Sequence, residues 1–177
     1  MGKVILVTGG QRSGKSTYAE QMVLDLGAGE QVVYIATAKI WDEEFAHRVD
    51  LHKERRGSRW INIEEPKFLS AHNVSGRVVL IDCVTLWSTN FFFDLSKEEG
   101  GVTLVEQALA QIKYEFDKFI SQDATFVFVT NEIGLGGVSE NKVQRQFTDL
   151  LGWTNQYIAS KADEVIFMVS GIPIKIK

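Results

Sequence analysis

The chain has 177 residues, of which 45% are hydrophobic and 24% are charged, and its formal net charge is −4. This length suits one domain with a full core, and the acidic balance argues against broad nucleic-acid binding, which usually needs a basic surplus. The single cysteine excludes an internal disulfide, and no signal peptide or bilayer-spanning apolar run is visible. We therefore predict a single domain over residues 1–177, located in the cytoplasm.

Strand-like and helix-like segments alternate along the chain. The predicted strands are Val4–Val7, Val32–Ala36, Val78–Ile81, Thr125–Val129 and Val165–Val169. The predicted helices are Ser16–Leu26, Asp42–Arg56, Thr103–Ile120 and Glu140–Lys161, and Trp60–Ile63 forms a short further segment. Continuous apolar strands between helices predict a mainly parallel sheet covered on both faces, with Ile172–Ile176 as a possible antiparallel edge strand. Ligands then bind along the carboxyl edge of the sheet.

The most informative motif connects the first strand to the first helix and fits the pattern G-x-x-x-x-G-K-[ST]. Its members are Gly9, Gly10, Gln11, Arg12, Ser13, Gly14, Lys15 and Ser16. The glycines let backbone N–H groups point at phosphate oxygens, Lys15 reaches the β- and γ-phosphates, and the Ser16 hydroxyl ligates Mg²⁺. An ordinary glycine turn is the alternative. The motif in this setting predicts nucleoside triphosphate binding and an α/β P-loop NTPase (RecA-like) fold.

A carboxylate closes the third predicted strand. Asp82 follows the apolar run Val78–Ile81, and P-loop proteins hold Mg²⁺ at this position directly or through water. The alternative is an aspartate that caps the next turn. Asp123 and Asp163 are poorer candidates, because each precedes its strand and so belongs to the opposite edge of the sheet. We therefore predict that Asp82 is the second metal ligand.

The segment from Arg48 to Trp60 is unusually basic. If it is helical, Arg48, His52, Arg55 and Arg56 share one face, and a bound polyanion would relieve the repulsion between their guanidinium groups. A solvated helix balanced by its own acidic residues explains the same pattern. A neutral imidazole at position 52 could also attack phosphorus, since neighbouring arginines depress its pKa, although a lone helical histidine is more often structural.

Taken together, these motifs resemble the bifunctional adenosylcobinamide kinase / adenosylcobinamide-phosphate guanylyltransferase family of cobalamin biosynthesis. The resemblance covers essentially the whole chain. The matching stretches are Leu6–Ser16, Tyr34–Ala38, Arg48–Lys53 with Arg56 and Trp60, Asp82–Trp87, Thr89–Asn90, Thr130–Gly136, Glu140–Asn141, Asn155–Gln156, Ala162–Val165 and Val169–Pro173. The histidine segment, the Thr-Asn-Glu-Ile-Gly stretch and the tail are more specific to the family than the P-loop.

The resemblance implies two activities. ATP or GTP phosphorylates the aminopropanol hydroxyl of adenosylcobinamide, and His52 then accepts GMP from GTP and passes it to the cobinamide phosphate. The P-loop itself predicts Mg²⁺ as cofactor, and the acidic composition without a long apolar run predicts neither nucleic acid nor a membrane as partner. The resemblance further implies a homotrimer. The nucleotide-site residues that it implies, besides the P-loop, are Ala36, Thr37, Ala38, Lys53, Glu54, Arg55, Arg56, Glu64 and Asp82. The catalytic residues that it implies are His52 and Lys15.

The chain departs from the family pattern at two positions. Trp153 stands where many relatives have arginine, and Leu51 stands where some have a second histidine, which leaves His52 as the single nucleophile. The general base for the substrate hydroxyl stays open among Asp82, Glu64 and Glu132. The motifs also admit a single-function P-loop kinase for another small hydroxylated substrate, and a nucleotide-sensing module or RecA-like motor subunit.

Overall fold

The computed structural model describes residues 2–39, 57–96 and 102–177. The described strands are β1 (Lys3–Gly9), β2 (Val32–Ala36), β3 (Trp60–Glu64), β4 (Val78–Asp82), β5 (Thr125–Val129), β6 (Glu164–Val169) and β7 (Ile172–Lys175). The described α-helices are α1 (Lys15–Leu26), α2 (Val84–Ser96), α3 (Val102–Ile120) and α4 (Lys142–Lys161). Short 3₁₀ turns cover Gly57–Arg59, Leu69–Ala71 and Gly134–Gly136.

All seven described strands form one sheet in the order β3-β2-β4-β5-β1-β6-β7. Every neighbouring pair is parallel except β6 and β7, which are antiparallel. The prediction of an α/β P-loop NTPase fold, with an antiparallel edge strand formed by the tail, is therefore confirmed. The single domain over residues 1–177 stays a prediction.

The sheet is buried on both faces, as its continuous apolar strands predict. On one face, side chains of β1, β2 and β5 pack against α1 through Ala19 and Val23. On the other face, a larger core contains Trp87 and Phe91 of α2 together with Phe116 of α3 and Leu151 of α4. None of the helices in the described part of the chain is long and apolar enough to cross a membrane.

One described helix is absent from the sequence prediction, and the other described helices begin one or two residues from their predicted starts. The helix α2 was not predicted, because Val84–Ser96 is rich in β-branched and aromatic residues and has no clear polar face. The helix α4 begins at Lys142 rather than Glu140, because the Asn141 side chain accepts a hydrogen bond from the backbone N–H of Gln144 and so caps the helix there. The predicted helix Asp42–Arg56 lies outside the described residues.

The structure also shows where the short segment Trp60–Ile63 and the carboxylate of Asp163 lie. Trp60–Ile63, left unassigned from the sequence, belongs to β3, which pairs with β2 at the edge of the sheet. Asp163 does lie at the amino edge, where its Oδ2 accepts a hydrogen bond of 2.7 Å from the backbone N–H of Val4. Its carboxylate is therefore at the opposite edge from Asp82.

Candidate nucleotide-binding site

The loop Gly9–Ser16 joins β1 to α1 at the carboxyl edge of the sheet, and two of its glycines are required by geometry. Gly14 is the residue before α1 and has φ +91°, a left-handed conformation that side chains rarely adopt. A Cβ at Gly9 would lie 2.5 Å from the carbonyl oxygen of Met168 in β6. The loop is thus packed closely against the neighbouring strand at one end and opens a helix at the other.

Lys15 is the first residue of α1, and its side chain is folded back into the loop. Only 7% of the residue is exposed, and its Nζ donates to the carbonyl oxygen of Gly10 at 2.6 Å and to Ser13 Oγ at 3.5 Å. Burial lowers the pKa of Lys15, while the nearby Cys83 and Asp82 side chains partly offset that effect. An ammonium group that has lost most of its hydration is stabilised by an anionic ligand.

Three predicted site residues share one row across the carboxyl edge. Ala36 of β2 is paired with Glu64 of β3 on one side and with Asp82 of β4 on the other. Residues in register on parallel strands point to the same face, and Tyr34, two residues before Ala36, packs on the α1 side. The two carboxylates therefore share the sheet face that carries α1, and the Tyr34 hydroxyl donates to Asp82 Oδ2 at 2.9 Å.

A buried hydrogen-bond network holds this row in place. The Thr37 hydroxyl donates to the carbonyl oxygen of Cys83 at 2.7 Å and accepts from the Cys83 backbone N–H at 2.9 Å. From α2, the Asn90 amide nitrogen donates to the carbonyl oxygens of Thr37 and Pro66, at 2.7 and 2.8 Å. Thr37 and Asn90 are almost fully buried. The loops that follow β2, β3 and β4 are thus tied to one another and to α2.

A second network lies after β5, on the other side of β4. The backbone N–H of Glu132 donates to the carbonyl oxygen of Gly9 at 3.0 Å, next to the P-loop. The Asn131 backbone N–H donates to Thr85 Oγ1, and the Asn131 carbonyl oxygen accepts from the Asn155 side chain. This places Glu132 directly beside the first residue of the P-loop.

The structure brings some of the sequence-predicted residues together and separates others. The residues Gly9–Ser16 and Asp82 meet near Lys15, whereas Ala36, Thr37, Ala38 and Glu64 extend along the same edge away from the P-loop. His52, Lys53, Glu54, Arg55 and Arg56 lie outside the described residues. The described chain leaves β2 at the carboxyl edge through Thr37 and returns at Gly57–Arg59, which precede β3 at the amino edge.

Several polar residues that organise the site received no role from the sequence. They are Tyr34, Thr85, Asn90 and Asn155, all within stretches that carry the family resemblance. One signal could have singled out Asn90, a polar residue directly before the aromatic run that begins at Phe91. A buried amide in such a helix needs hydrogen-bond partners, which points to an organising role.

Within the described ranges, no group of three or more His, Cys, Asp or Glu residues could hold a metal ion alone. Mg²⁺ in a phosphate site is usually held by one or two protein oxygens together with substrate phosphates and waters. The Ser16 hydroxyl and the Asp82 carboxylate are hard oxygen donors of the kind that Mg²⁺ prefers. The donor set therefore fits a nucleotide-bound Mg²⁺ rather than a self-contained metal centre.

Comparison with known proteins adds relatives that match almost the full chain. The bifunctional adenosylcobalamin biosynthesis protein CobU of Escherichia coli strain K12 is 40% identical, covering 98% of this chain and 99% of that protein. CobU of Salmonella typhimurium is 39% identical, and the match covers 98% of this chain and 99% of that protein. The bifunctional adenosylcobalamin biosynthesis protein CobP of Pseudomonas aeruginosa is 35% identical, and the match covers 97% of this chain and 96% of that protein.

Similarity to solved structures is weaker. The flagellar accessory protein FlaH from Methanocaldococcus jannaschii overlaps with a TM-score of 0.48 at 13% identity, covering 99% of this chain and 78% of that chain. The fold follows from the strand order rather than from this overlap. The sequence profile of cobinamide kinase / cobinamide phosphate guanyltransferase, in contrast, matches residues 5–176. With that match and the relatives above, the chain belongs to the cobinamide kinase / cobinamide phosphate guanyltransferase family.

Proposed function

We propose that this protein phosphorylates the aminopropanol hydroxyl of adenosylcobinamide and then transfers GMP from GTP to the product, giving adenosylcobinamide-GDP. The family membership supports both activities. The observation that carries the proposal is the buried side chain of Lys15, which folds back into the glycine loop. Burial lowers the pKa of Lys15, and the nearby Asp82 carboxylate raises it against that effect. A cation that is buried in this way suits the polyphosphate that both reactions share.

In the first reaction, the acceptor oxygen attacks the γ-phosphorus of a nucleoside triphosphate, and the bond to the bridging β-phosphate oxygen breaks. The backbone N–H groups of Gly9–Ser16 hold the phosphate chain, and the positive end of α1 adds to the attraction. Lys15 exchanges its bond to the Gly10 carbonyl oxygen for phosphate oxygens and stabilises the charge on the transferring group.

We propose that Ser16 and Asp82 hold Mg²⁺ together with the nucleotide phosphates. When bound, Mg²⁺ neutralises charge on the β- and γ-phosphates. The Tyr34 hydroxyl donates to Asp82 Oδ2, which fixes the position of that carboxylate oxygen. The Thr37–Cys83 hydrogen bonds fix the backbone immediately after Asp82.

In the second reaction, a nitrogen of His52 attacks the α-phosphorus of GTP, a P–N bond forms and pyrophosphate leaves. A phosphate oxygen of the cobinamide phosphate then attacks the same phosphorus, and the imidazole is released. The residues Lys53, Glu54, Arg55 and Arg56 flank the nucleotide in this proposal. Ala36, Thr37, Ala38 and Glu64 line the same edge of the sheet. The motif resemblance and the family membership support these assignments, and His52 to Arg56 lie outside the described residues.

The experiment that tests the proposal is to map a GTP-derived adduct. Intact-protein mass spectrometry after incubation with GTP and Mg²⁺ should show the addition of one GMP, and peptide mapping should place it on His52. A His52→Ala variant should lose the adduct and keep phosphorylation of adenosylcobinamide. As a matched control, His72→Ala should keep both, since His72 is not among the predicted site residues and its backbone carbonyl oxygen accepts from Gln122, which precedes β5. No adduct on the wild type would refute the transferase half.

A cytoplasmic location and the homotrimer also stay predictions. Exposed apolar side chains, among them Phe68 and Tyr114, offer surface for subunit contacts. The run Phe91–Phe93 offers little such surface, because Phe91 and Phe92 are buried and only Phe93 is exposed. Light scattering on the purified protein would measure the assembly directly.

A further inference from the structure

Three carboxylates follow strands at the carboxyl edge, and they lie at very different distances from the P-loop strand β1. The strand β5, which precedes Glu132, is the direct neighbour of β1, whereas β4 with Asp82 is second and β3 with Glu64 is fourth. Neighbouring strands are about 4.8 Å apart, so these strands lie roughly 5, 10 and 19 Å from β1. Glu132 therefore follows a strand directly beside β1, whereas Asp82 and Glu64 end strands that lie farther from the phosphate cradle.

The Glu132 carboxylate is held in a defined position. Its backbone N–H is bonded to the Gly9 carbonyl oxygen, and its Oε1 accepts from the backbone N–H of Gly134 at 3.1 Å. No donor from the described part of the chain is within hydrogen-bond distance of the other carboxylate oxygen. Asp82, by comparison, already accepts the Tyr34 hydroxyl bond and lies close enough to Lys15 to influence its pKa.

Space for a second substrate adjoins Glu132. The next residue, Ile133, lines an open cavity of about 450 Å³ whose other walls include Val138 and Phe147. Two apolar side chains of the segment after Glu132 are strongly exposed, Val138 at 89% and Leu135 at 76%. A large acceptor with apolar surface can thus bind beside the loop that carries Glu132.

We propose that Glu132 is the general base of the phosphoryl-transfer step, acting on an acceptor hydroxyl that enters from this cavity. The inference rests on the proposed function. The hydroxyl proton passes to the Glu132 carboxylate while the oxygen forms a bond to the γ-phosphorus. The bond between that phosphorus and the bridging oxygen breaks, and a nucleoside diphosphate leaves. The protonated Glu132 then loses its proton to water.

The test compares Glu132→Gln with Glu30→Gln. The glutamine at position 132 keeps an oxygen that can accept from Gly134 N–H, so the loop keeps its contact and only the base is lost. Glu30 is exposed and precedes β2 at the amino edge, which makes it a matched control. We expect kcat for adenosylcobinamide phosphorylation to fall by about 10²-fold or more in Glu132→Gln, with KM changed only a few-fold. Glu30→Gln should match the wild type.

A second measurement distinguishes a general-base role of Glu132 from a purely structural role beside the P-loop. Formation of the GMP adduct from GTP needs the loop and no acceptor hydroxyl, so Glu132→Gln should form it at the wild-type rate. Equal loss of adduct formation and phosphorylation would overturn the assignment, and so would an unchanged kcat. A wild-type protein that leaves adenosylcobinamide unphosphorylated would instead overturn the proposed function itself.

Discussion

At the scale of single residues, the packing of the P-loop changes the stability of the charged form of Lys15. The residue is largely buried, and its ammonium group is bonded to a carbonyl oxygen of its own loop at 2.6 Å. Burial lowers its pKa, so the charged form is less stable here than in solution. A phosphate chain would restore the missing stabilisation. Binding of a polyanion and protonation of Lys15 should therefore favour each other.

A first prediction concerns Gly9. In Gly9→Ala, the new Cβ would lie 2.5 Å from the Met168 carbonyl oxygen and 2.9 Å from Ser13 Oγ. Because the carbonyl of a strand that is paired on both sides cannot move freely, we expect a loss of about 2 kcal/mol of unfolding free energy. For a chain of this size, that corresponds to a decrease in Tm of roughly 4–8 °C. Thermal unfolding followed by circular dichroism would measure it.

The neighbouring glycine provides the control. A Cβ at Gly10 would have no other atom within 4 Å, and its φ is not positive. We expect Gly10→Ala to unfold within about 0.5 kcal/mol of the wild type, as surface changes usually do. If the two variants had the same Tm, the close approach of β6 to the loop would not limit position 9.

At the scale of elements, Asn90 connects α2 to the loops after β2 and β3. We predict that Asn90→Asp destabilises the protein, because a carboxylate cannot donate to the carbonyl oxygens of Thr37 and Pro66. Two buried acceptors would each lose a partner, at about 1–3 kcal/mol apiece. Chemical denaturation of the variant should show a midpoint shifted to lower denaturant without a change of slope.

Asn73→Asp is the matched control for that experiment. Asn73 is exposed, and its Oδ1 accepts from the backbone N–H of Ser75, a role that a carboxylate keeps. This variant should denature at the wild-type midpoint. An Asn90→Asp variant as stable as Asn73→Asp would mean that water replaces the lost donors and that Asn90 does not hold the loops together.

The elements also show which parts of the fold local sequence could predict. The strand Thr125–Val129 and the end of α1 at Leu26 follow from apolar runs and a terminal glycine, and both are confirmed. The helix α2 could not be predicted in this way, because its Phe91 and Phe92 favour strands and its helical form depends on packing in the core. The start of α4 required recognition of Asn141 as a capping residue.

At the scale of the whole molecule, the tail closes one edge of the sheet and also touches the site. The strand β7 pairs with β6, and the Gly171 backbone N–H between them donates to the Ser13 carbonyl oxygen at 3.0 Å. We predict that deleting Ile172–Lys177 lowers Tm by roughly 6–12 °C, since about three or more ladder hydrogen bonds of about 1 kcal/mol each are lost. Nucleotide binding, measured by calorimetry, should weaken as well.

Ile174→Lys separates backbone pairing from side-chain effects in this experiment. Ile174 is 47% exposed, so the substitution keeps the β6–β7 ladder and changes only the outer surface. Its Tm and nucleotide affinity should match those of the wild type. Wild-type nucleotide affinity after the deletion would contradict a contribution of the tail to the P-loop.

The site shows why the sequence predicted the P-loop but not the polar residues whose hydrogen bonds hold the site together. The residues Gly9–Ser16 are contiguous, so their pattern can be read directly. The supports join distant positions, because Asn90 contacts Thr37 across 53 residues and Thr85 contacts Asn131 across 46. Such pairs are determined by the order of strands in the sheet. That Glu132 lies nearer to the P-loop strand than the other two candidate bases likewise follows only from the strand order.

The burial of Cys83 has a practical consequence for spectroscopy. It is the only cysteine in the chain, and burial, with a contribution from Asp82, raises its pKa to about 12. A thiol that stays protonated and covered reacts very slowly with maleimides. A fluorophore or spin label can therefore be attached to a cysteine introduced on the surface, with the native residue left in place and contributing almost no background.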